Sequence, residues 1–508
     1  MISTKKNYSN QIVKLLQKFG LPLILFLIYL LLPSHNSTTD GWGYAEEIKH
    51  GYNLFRPHHL LYNALGYILI KATHFLGFHP DILSTMKVLN AVVAFSIMLV
   101  LRQLLTSLRL SEKKQNIWLL FTGSSFGIWR FATENEVYLL PILGSLMASY
   151  WFLLFLQNGK NKTLIYSSFF ASLACLFHQL HIFWWLALLI GFILKKKKNA
   201  RLYLAISLII PISYLATVLF YEGKELTLSN TLLFVLHDYL TDSAEVSIGL
   251  NNILLTPVNL FRTMFQVHGN ILLILDKYPW FYGFLIASIT LAVASLYFGT
   301  KIRINKKASN DLFFKIHLFA FTLQLFFAFF SHGNAEFMVV MIVILPILVH
   351  KKMTHYSGML LFLSLSMFIW NFAFAAFPNY RFNYTNDAQT IQFIEKHPNA
   401  IFILKEKNTI ANRYAYETDL SVSHRLYSFP FTKNLDQLCT LQNSGITIYT
   451  DILSKKMPFN RAKWLGHSKN EDSMELIEKG NEEIPSFYGP FTIDKIRIKC
   501  EQRWQGRN

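Results

Sequence analysis

The sequence predicts a mainly α, polytopic membrane protein with about eleven transmembrane helices and a small extracytoplasmic α/β domain at the C-terminal end. Three observations predict it. Of 508 residues, 52% are hydrophobic and 16% aromatic, more apolar mass than one soluble core uses. The apolar residues gather in runs near the length of roughly 20 that a helix needs to cross a bilayer. Lys and Arg recur as short clusters between those runs, which is the charge pattern of membrane topology. The net charge of +18 is therefore topological, and nucleic acid is excluded as a partner because no single basic stripe forms.

Taken in order, apolar runs fall near 19–33, 84–101, 116–132, 138–156, 163–178, 180–194, 202–221, 279–299, 312–330, 335–349 and 357–377. The first follows Lys5, Lys6, Lys14 and Lys18. It lacks a small-x-small cleavage site at Pro33-Ser34-His35, so it reads as an uncleaved span with the N-terminus cytoplasmic. Two joins decide the parity. Leu164 to Leu194 would be roughly 45 Å long as one helix and is basic at both ends, so it reads as a hairpin turning at His178-Gln179-Leu180-His181. Leu60 to Phe78 is interrupted by Asn63, Lys71, Thr73 and His74, so it reads as an amphipathic helix lying on the outer face. Every basic cluster before the tail then falls inside. Of the fifteen acidic residues before position 380, only Glu112 and Asp311 do. The membrane domain spans 1–378, with a first outer loop at 34–83 and a large outer loop at 222–278 holding the amphipathic pattern Leu254 to Val267.

From about Tyr380 the apolar runs shrink to strand length, as in Ala400 to Leu404 and Gly445 to Tyr449. This predicts a soluble extracytoplasmic α/β domain at 379–508. Cys439 and Cys500 lie in it, either as a disulfide in an oxidising compartment or as two buried thiols. No CxxC or Cys/His spacing suits zinc.

Four outer segments hold most of the ionisable groups. The first loop carries Asp40, Glu46, Glu47, Arg56, His58 and His59. The turn before the fourth span carries Arg130, Glu134 and Glu136. The hairpin turn carries His178 and His181, and the turn before the tenth span carries Glu336. Connecting turns need no such density of carboxylate and imidazole, so a shared pocket is the economical reading. Each residue also has a plainer reading. Glu46, Glu47 and Glu336 suit helix starts, His58 and His59 suit interfacial anchoring, Arg130 with Glu134 and Glu136 suits a structural ion network, and His178 with His181 suits one helix face. Trp42, Tyr44, Trp129, Trp184 and Trp185 read as interfacial aromatics.

The stretches HHLLYNALGY, ENEVYLLPIL, LFHQLH and GNAEFMVVMIVILP, in this order and on one side, resemble those of GT-C superfamily membrane glycosyltransferases. Within that superfamily they look like those of bacterial membrane proteins related to the protein O-mannosyltransferase group, and the superfamily also holds oligosaccharyltransferases and the aminoarabinose transferase acting on lipid A. The resemblance covers about 15–377. It implies a GT-C-like fold and transfer of a hexosyl or pentosyl unit from a polyprenyl-phosphate donor to a protein, lipid or glycan acceptor at the outer face of the cytoplasmic membrane, with membrane lipid around it.

Such chemistry wants a carboxylate to take the acceptor proton and cations to meet the departing phosphate. Asp40 occupies the position of the family's first-loop acid and is expected to be the general base. Glu46, Glu47, Glu134, Glu136 and Glu336 become candidates for acid or acceptor-positioning roles. Arg56, His58, His59, Arg130, His178 and His181 become candidates for the donor phosphate. The loop has a single Asp where some members have paired acids, so neither a divalent cation nor another cofactor is assigned. A transporter or flippase would instead show polar breaks at the bilayer midplane and repeated halves. A surface polysaccharide polymerase or ligase shares the donor and the outer site.

Overall fold

The computed structural model of the protein describes residues 18–240, 248–267, 270–304, 311–456 and 473–500. Contacts divide the chain into two compact units. One draws on Met1–Ser34, Gly51–Val267 and Pro279–Pro378, the other on His35–His50, His268–Tyr278 and Asn379–Asn508. The division differs from a single break at 378/379. Residues 35–50 of the first loop and 268–278 of the large loop group with the C-terminal part.

The first unit is helical and the chain is an integral membrane protein. Among the described residues, six helices are long and apolar enough to cross: Ile82–Ser107, Leu139–Asn158, Lys197–Tyr221, Phe281–Gly299, Leu312–Phe330 and Ser357–Arg381. Lys18–Leu31, Gln179–Lys195 and Glu336–His350 are apolar but shorter. The expected count of eleven is thus not reached by length and composition, because several apolar runs are broken. The run at 116–132 divides into Glu112–Ser124 and Phe126–Ala132 at Ser125, whose backbone is extended. A break inside an apolar helix must have its freed polar groups met by protein. Here Phe126 and Gly127 donate to the carbonyls of Met264 and Thr263 at 3.0 and 2.9 Å. Asn371 Nδ2 donates to the Ser124 carbonyl at 2.8 Å. Gly127 is needed at this point, since a Cβ would lie 2.7 Å from Val339 Cγ2. The longer run breaks at His178 into Asn161–Phe177 and a short turn at Gln179–His181.

The helix within 60–78 is Tyr62–Phe75, about 21 Å long and too short to cross. In the large loop the amphipathic helix is Leu250–Arg262. Its polar side is the buried one: Asn252, Thr256 and Asn259 are buried while Leu250, Ile253, Leu254, Val258 and Phe261 are exposed. The buried amides serve the backbone, Asn252 donating to Phe329 O at 2.7 Å and Asn259 to Gly333 O at 2.6 Å. An apolar outer face on a polar inner one is the arrangement expected against lipid rather than water.

The second unit is built on a five-stranded sheet. With β1 (Arg303–Ile304) and β2 (Met353–Thr354) forming a separate short pair in the first unit, its strands are β3 (Ile401–Leu404), β4 (Leu426–Ser428), β5 (Ile448–Thr450), β6 (Met474–Glu478) and β7 (Asp494–Ile498), in the order β4-β3-β5-β7-β6. β3 runs parallel to β4 and β5, and β7 runs antiparallel to β5 and β6. A disulfide joins Cys439 to Cys500, tying the helix Leu435–Asn443 to the chain after β7. The helix Thr39–His50 lies against Lys407–Thr418. Asn412 Nδ2 donates to Thr39 O at 3.0 Å, and Trp42 meets Tyr416 with ring centroids 5.5 Å apart. Trp42 is buried there, with the Arg413 guanidinium 4.9 Å from its ring centroid, rather than free to anchor in an interface.

Candidate active site

Within the first unit, the turns at 56–59, 130–138, 178–181 and 331–336 come together. The last is set by Gly333, at φ +65°, where a Cβ would meet the Thr256 backbone nitrogen at 2.7 Å. That turn presents Glu336, whose own N–H donates to Asn334 Oδ1 at 2.9 Å. Glu336 Oε1 pairs with Arg130 Nη2 at 3.1 Å, and Tyr138 donates its hydroxyl hydrogen to Oε2 at 2.8 Å. Tyr138 stacks between Phe131 and His178, with centroids 4.6 and 5.4 Å away. The His178 Nδ1 accepts from the Leu180 N–H at 3.2 Å, so its ring proton belongs on Nε2 when it is neutral.

The acidic turn between them is held from behind. Asn90 Nδ2 donates to the carbonyls of Glu134 and Glu136 at 2.7 and 2.8 Å, and Tyr62 donates to Asn135 Oδ1 at 2.7 Å. Glu134 is buried and lies 3.6 Å from the Lys87 ammonium, which also donates to Ser34 O at 2.6 Å. Glu136 is buried as well. Both carboxylates are closed off from solvent, whereas the carboxylate of Glu336 is 28% exposed and can reach a ligand. His181 is buried with Nδ1 2.7 Å from Ser145 Oγ, which fixes it inside the helix pair.

Arg56 and His58 line a cavity of about 720 Å³ whose far side comes from residues 222–240. His58 Nδ1 is 2.6 Å from Asp238 Oδ2. The close approach of the His58 imidazole holds the Asp238 carboxyl down at about 2, so it is ionised at neutral pH. His59, stacked edge-on to His58 at 4.2 Å, is fully buried. Burial first, and then the neighbouring charges of His58, His178 and Arg56, push it well below the usual imidazole range. It is therefore uncharged at neutral pH.

Asp40, Glu46 and Glu47 belong to the second unit. The helix there starts at Thr39, so Asp40 is the acid in its first turn, while Glu46 and Glu47 lie well inside it. This corrects the expectation that those two glutamates begin a helix. Both are buried, and Glu46 Oε1 is 3.9 Å from His50 Nε2 one turn on. Asp40 is exposed.

The sequence reading missed Asp238 and Lys224, which lie in a polar insert without a motif. It also missed Lys87 and Asn90, for which a signal existed: a charge inside an apolar run is costly and asks for a partner. Among the described residues, no group of three or more His, Cys, Asp or Glu side chains is arranged to hold a metal ion.

No family model matches the chain, and no curated protein does. Solved structures do. ArnT from Cupriavidus metallidurans bound to undecaprenyl phosphate is similar at 10% identity and a TM-score of 0.49, over 94% of this chain and 96% of that one. An Archaeoglobus fulgidus oligosaccharyltransferase, in complex with Zn and sulfate, is similar at 13% identity and a TM-score of 0.44, over 85% of this chain and 68% of that one. The Archaeoglobus fulgidus oligosaccharyltransferase AglB, with an inhibitory peptide and a dolichol-phosphate, aligns at 12% identity and 0.42, over 85% and 69%.

Proposed function

We propose that the protein is a glycosyltransferase that moves a sugar from a polyprenyl-phosphate donor to a protein, lipid or glycan acceptor at the outer face of the cytoplasmic membrane. The observation that carries this reading is the pairing of two features in the first unit. One is a cavity with charged and apolar walls beside Arg56 and His58; the other is a partly open carboxylate, Glu336, held by Arg130 and Tyr138. A lipid phosphate and a polar acceptor need those two environments.

In the step proposed, a carboxylate takes the acceptor proton as the acceptor oxygen or nitrogen bonds to the sugar's anomeric carbon. The bond from that carbon to the phosphate oxygen breaks with its electron pair, and the lipid phosphate leaves. Asp40 is proposed as the base, on its exposed carboxylate and on the family position it matches. Arg56 and His58 are proposed for the departing phosphate, with Glu336 positioning the acceptor. His59, His178 and His181 are buried and serve as the wall behind.

The extracytoplasmic placement of the C-terminal domain is supported by the Cys439–Cys500 disulfide, which belongs to an oxidising compartment. The transporter reading loses ground, because the buried cations of Ile82–Ser107 lie near its two ends. Lys87 is bound to Ser34 O at one end, and Arg102 to Lys18 O and Asn116 Oδ1 at the other.

The test is Asp40→Asn. Loss of a general base costs roughly 10²–10⁴-fold, so transfer should fall by that much while expression is unchanged. Mass spectrometry of envelope glycoproteins and glycolipids, with and without the protein, names sugar and acceptor and reads the variant. Transfer at the unaltered rate would sink the assignment of Asp40.

A further inference from the structure

The helix Leu250–Arg262 carries amides at 252 and 259 and a hydroxyl at 256, a spacing of four and then three that gathers them on one side. That side is buried, while Leu250, Ile253, Leu254, Val258 and Phe261 are each more than half exposed. Water imposes the opposite order on a surface helix, with its apolar stripe turned to the core. What the buried amides meet explains the inversion.

The helix Leu312–Phe330 ends beside them, and a helix leaves its last four carbonyls without partners of its own. Phe327 O accepts from the Ser331 N–H at 3.0 Å and Ala328 O from the Gly333 N–H at 2.8 Å. Phe329 O takes the Asn252 amide at 2.7 Å, and Gly333 O, in the turn that follows, takes the Asn259 amide at 2.6 Å. The two backbones touch there, which is why a Cβ at Gly333 would fall 2.7 Å from the Thr256 nitrogen. One helix therefore grips both the end of Leu312–Phe330 and the turn that presents Glu336. Leu312–Phe330 is long and apolar enough to cross a bilayer, and it leaves Leu318 and Phe326 exposed as a lipid-facing helix does. The contact at Phe329 sets Leu250–Arg262 at the level where that helix leaves the hydrocarbon. At that level an exposed apolar face belongs in acyl chains.

We propose that the apolar face of Leu250–Arg262 is seated in the acyl chains of the adjoining leaflet, and that Asn252 and Asn259 carry this seating to the turn of Glu336. The role of Glu336 toward an acceptor rests on the reading above; the seating and the two amide contacts do not. Asn259 is a positioning residue, acting on Glu336 through Gly333 and not on a substrate. Lipid holds the helix from outside, and the amides hold the turn from inside. When the apolar face leaves the lipid, the amides lose their register with Phe329 and Gly333, and the freed carbonyls turn to water. The arrangement of Glu336 thereby depends on the bilayer. A helix that only packs against protein predicts no such dependence.

The experiment uses the full-length protein in lipid nanodiscs. A nitroxide on Val258→Cys reads the seating; Cys175 is buried and Cys439 is joined to Cys500, so the added thiol takes the label. Its collisions with dissolved oxygen, which concentrates in acyl chains, should far outnumber those with a water-soluble nickel chelate. Collisions mainly with the chelate overturn the seating, and so do few collisions with either, the mark of a face covered by a second copy or another protein. Hydrogen exchange reads the coupling. Ile253→Asn together with Val258→Asn makes the face polar and should speed exchange about tenfold at Gly333, Asn334 and Glu336, whose N–H groups are all hydrogen-bonded, while Leu139–Asn158 keeps its protection. Asn259→Leu should do the same, and combining it with the polar face should add little, since both break one connection. Unchanged exchange in the polar-face variant overturns the coupling, as does additivity in the combination. The polar-face variant alters only side chains more than half exposed, so it decides the question even where Asn259→Leu does not fold. No transfer is measured, so these outcomes stand apart from those of Asp40→Asn.

Discussion

Asp238 in the first unit and Asp451 in the second each hold a basic side chain, at 2.6 Å from His58 and 3.1 Å from Lys455. The surroundings differ completely. The side chains of His58 and Asp238 are 32% and 25% exposed beside a cavity, while those of Lys455 and Asp451 are each 1% exposed. Asp451 follows β5 and accepts from the Lys405 N–H after β3 at 3.0 Å, so it joins the carboxyl ends of two parallel strands. Lys455 lies 4.0 Å from Asp387 and 5.1 Å from the Phe491 ring centroid, and no part of it reaches water. In open α/β sheets that edge is where ligands commonly bind; here the protein's own charges fill it. Similar contacts between an acid and a basic side chain thus sit in opposite surroundings, one open to a cavity and one sealed inside the sheet domain.

The sealed pair should give the largest effect. Lys455→Met removes one partner and leaves Asp451 charged and buried, which costs about 3–5 kcal/mol. Thermal unfolding of the full chain in nanodiscs, followed by protease resistance of residues 379–508, should show the loss in that segment. Adding Asp451→Asn should restore part of it, since the amide removes the buried charge and keeps an acceptor for the Lys405 N–H. A cost below about 1 kcal/mol for Lys455→Met would remove the distinction between the two pairs.

What the sequence showed and what it hid follow the same physical line. Local pattern was legible. The apolar run from 164 to 194 breaks at His178, strand-length runs begin after 380, and the three turns carrying Arg130, His178 and Glu336 meet. Contacts between distant residues were not. The helix Thr39–His50 joins the C-terminal unit through Thr39 and Thr409, 370 positions apart, and no periodicity in residues 35–50 announces that partner. Ser125 breaks a run that looked continuous because Asn371, 247 residues from Ser124, is there to take up the freed carbonyl. In Leu250–Arg262 the amphipathic period was visible, but the sequence could not say that the amides face inward. Asp238 gave no signal at all, as its meaning comes from the His58 ring across the cavity.

Between the two extremes lies Glu336, 28% exposed and paired with an Arg130 that is 29% exposed. Glu336→Gln keeps the size and one acceptor for Tyr138 but loses the charge that holds Arg130. The expected cost is about 1 kcal/mol of stability, the usual worth of a partly screened charge-assisted bond. Glycosyl transfer should suffer more than unfolding does, because the carboxylate is proposed to meet the acceptor. Equal losses in both would place Glu336 with Glu134 and Glu136 as a brace.

The smallest effect is the most specific to the open pair. The close approach of His58 lowers the Asp238 carboxyl from 3.8 to about 2, so the folded state favours its ionised form. A depressed acid stabilises above its unfolded pKa and loses that contribution as pH falls through the folded one, so the window runs from about pH 4 to about pH 2. The pair is partly solvated, and screening keeps its worth below about 1 kcal/mol. Hydrogen exchange of the amides in Leu228–Leu240, corrected for intrinsic rates, should show protection that is level above about pH 4 and declines through that window. In Asp238→Asn the added decline should vanish, leaving only the acid response of the rest of the chain. A decline of the same size in the variant would mean that His58 and Asp238 are neighbours without a latch, and the contrast with the sealed pair would then rest on burial alone.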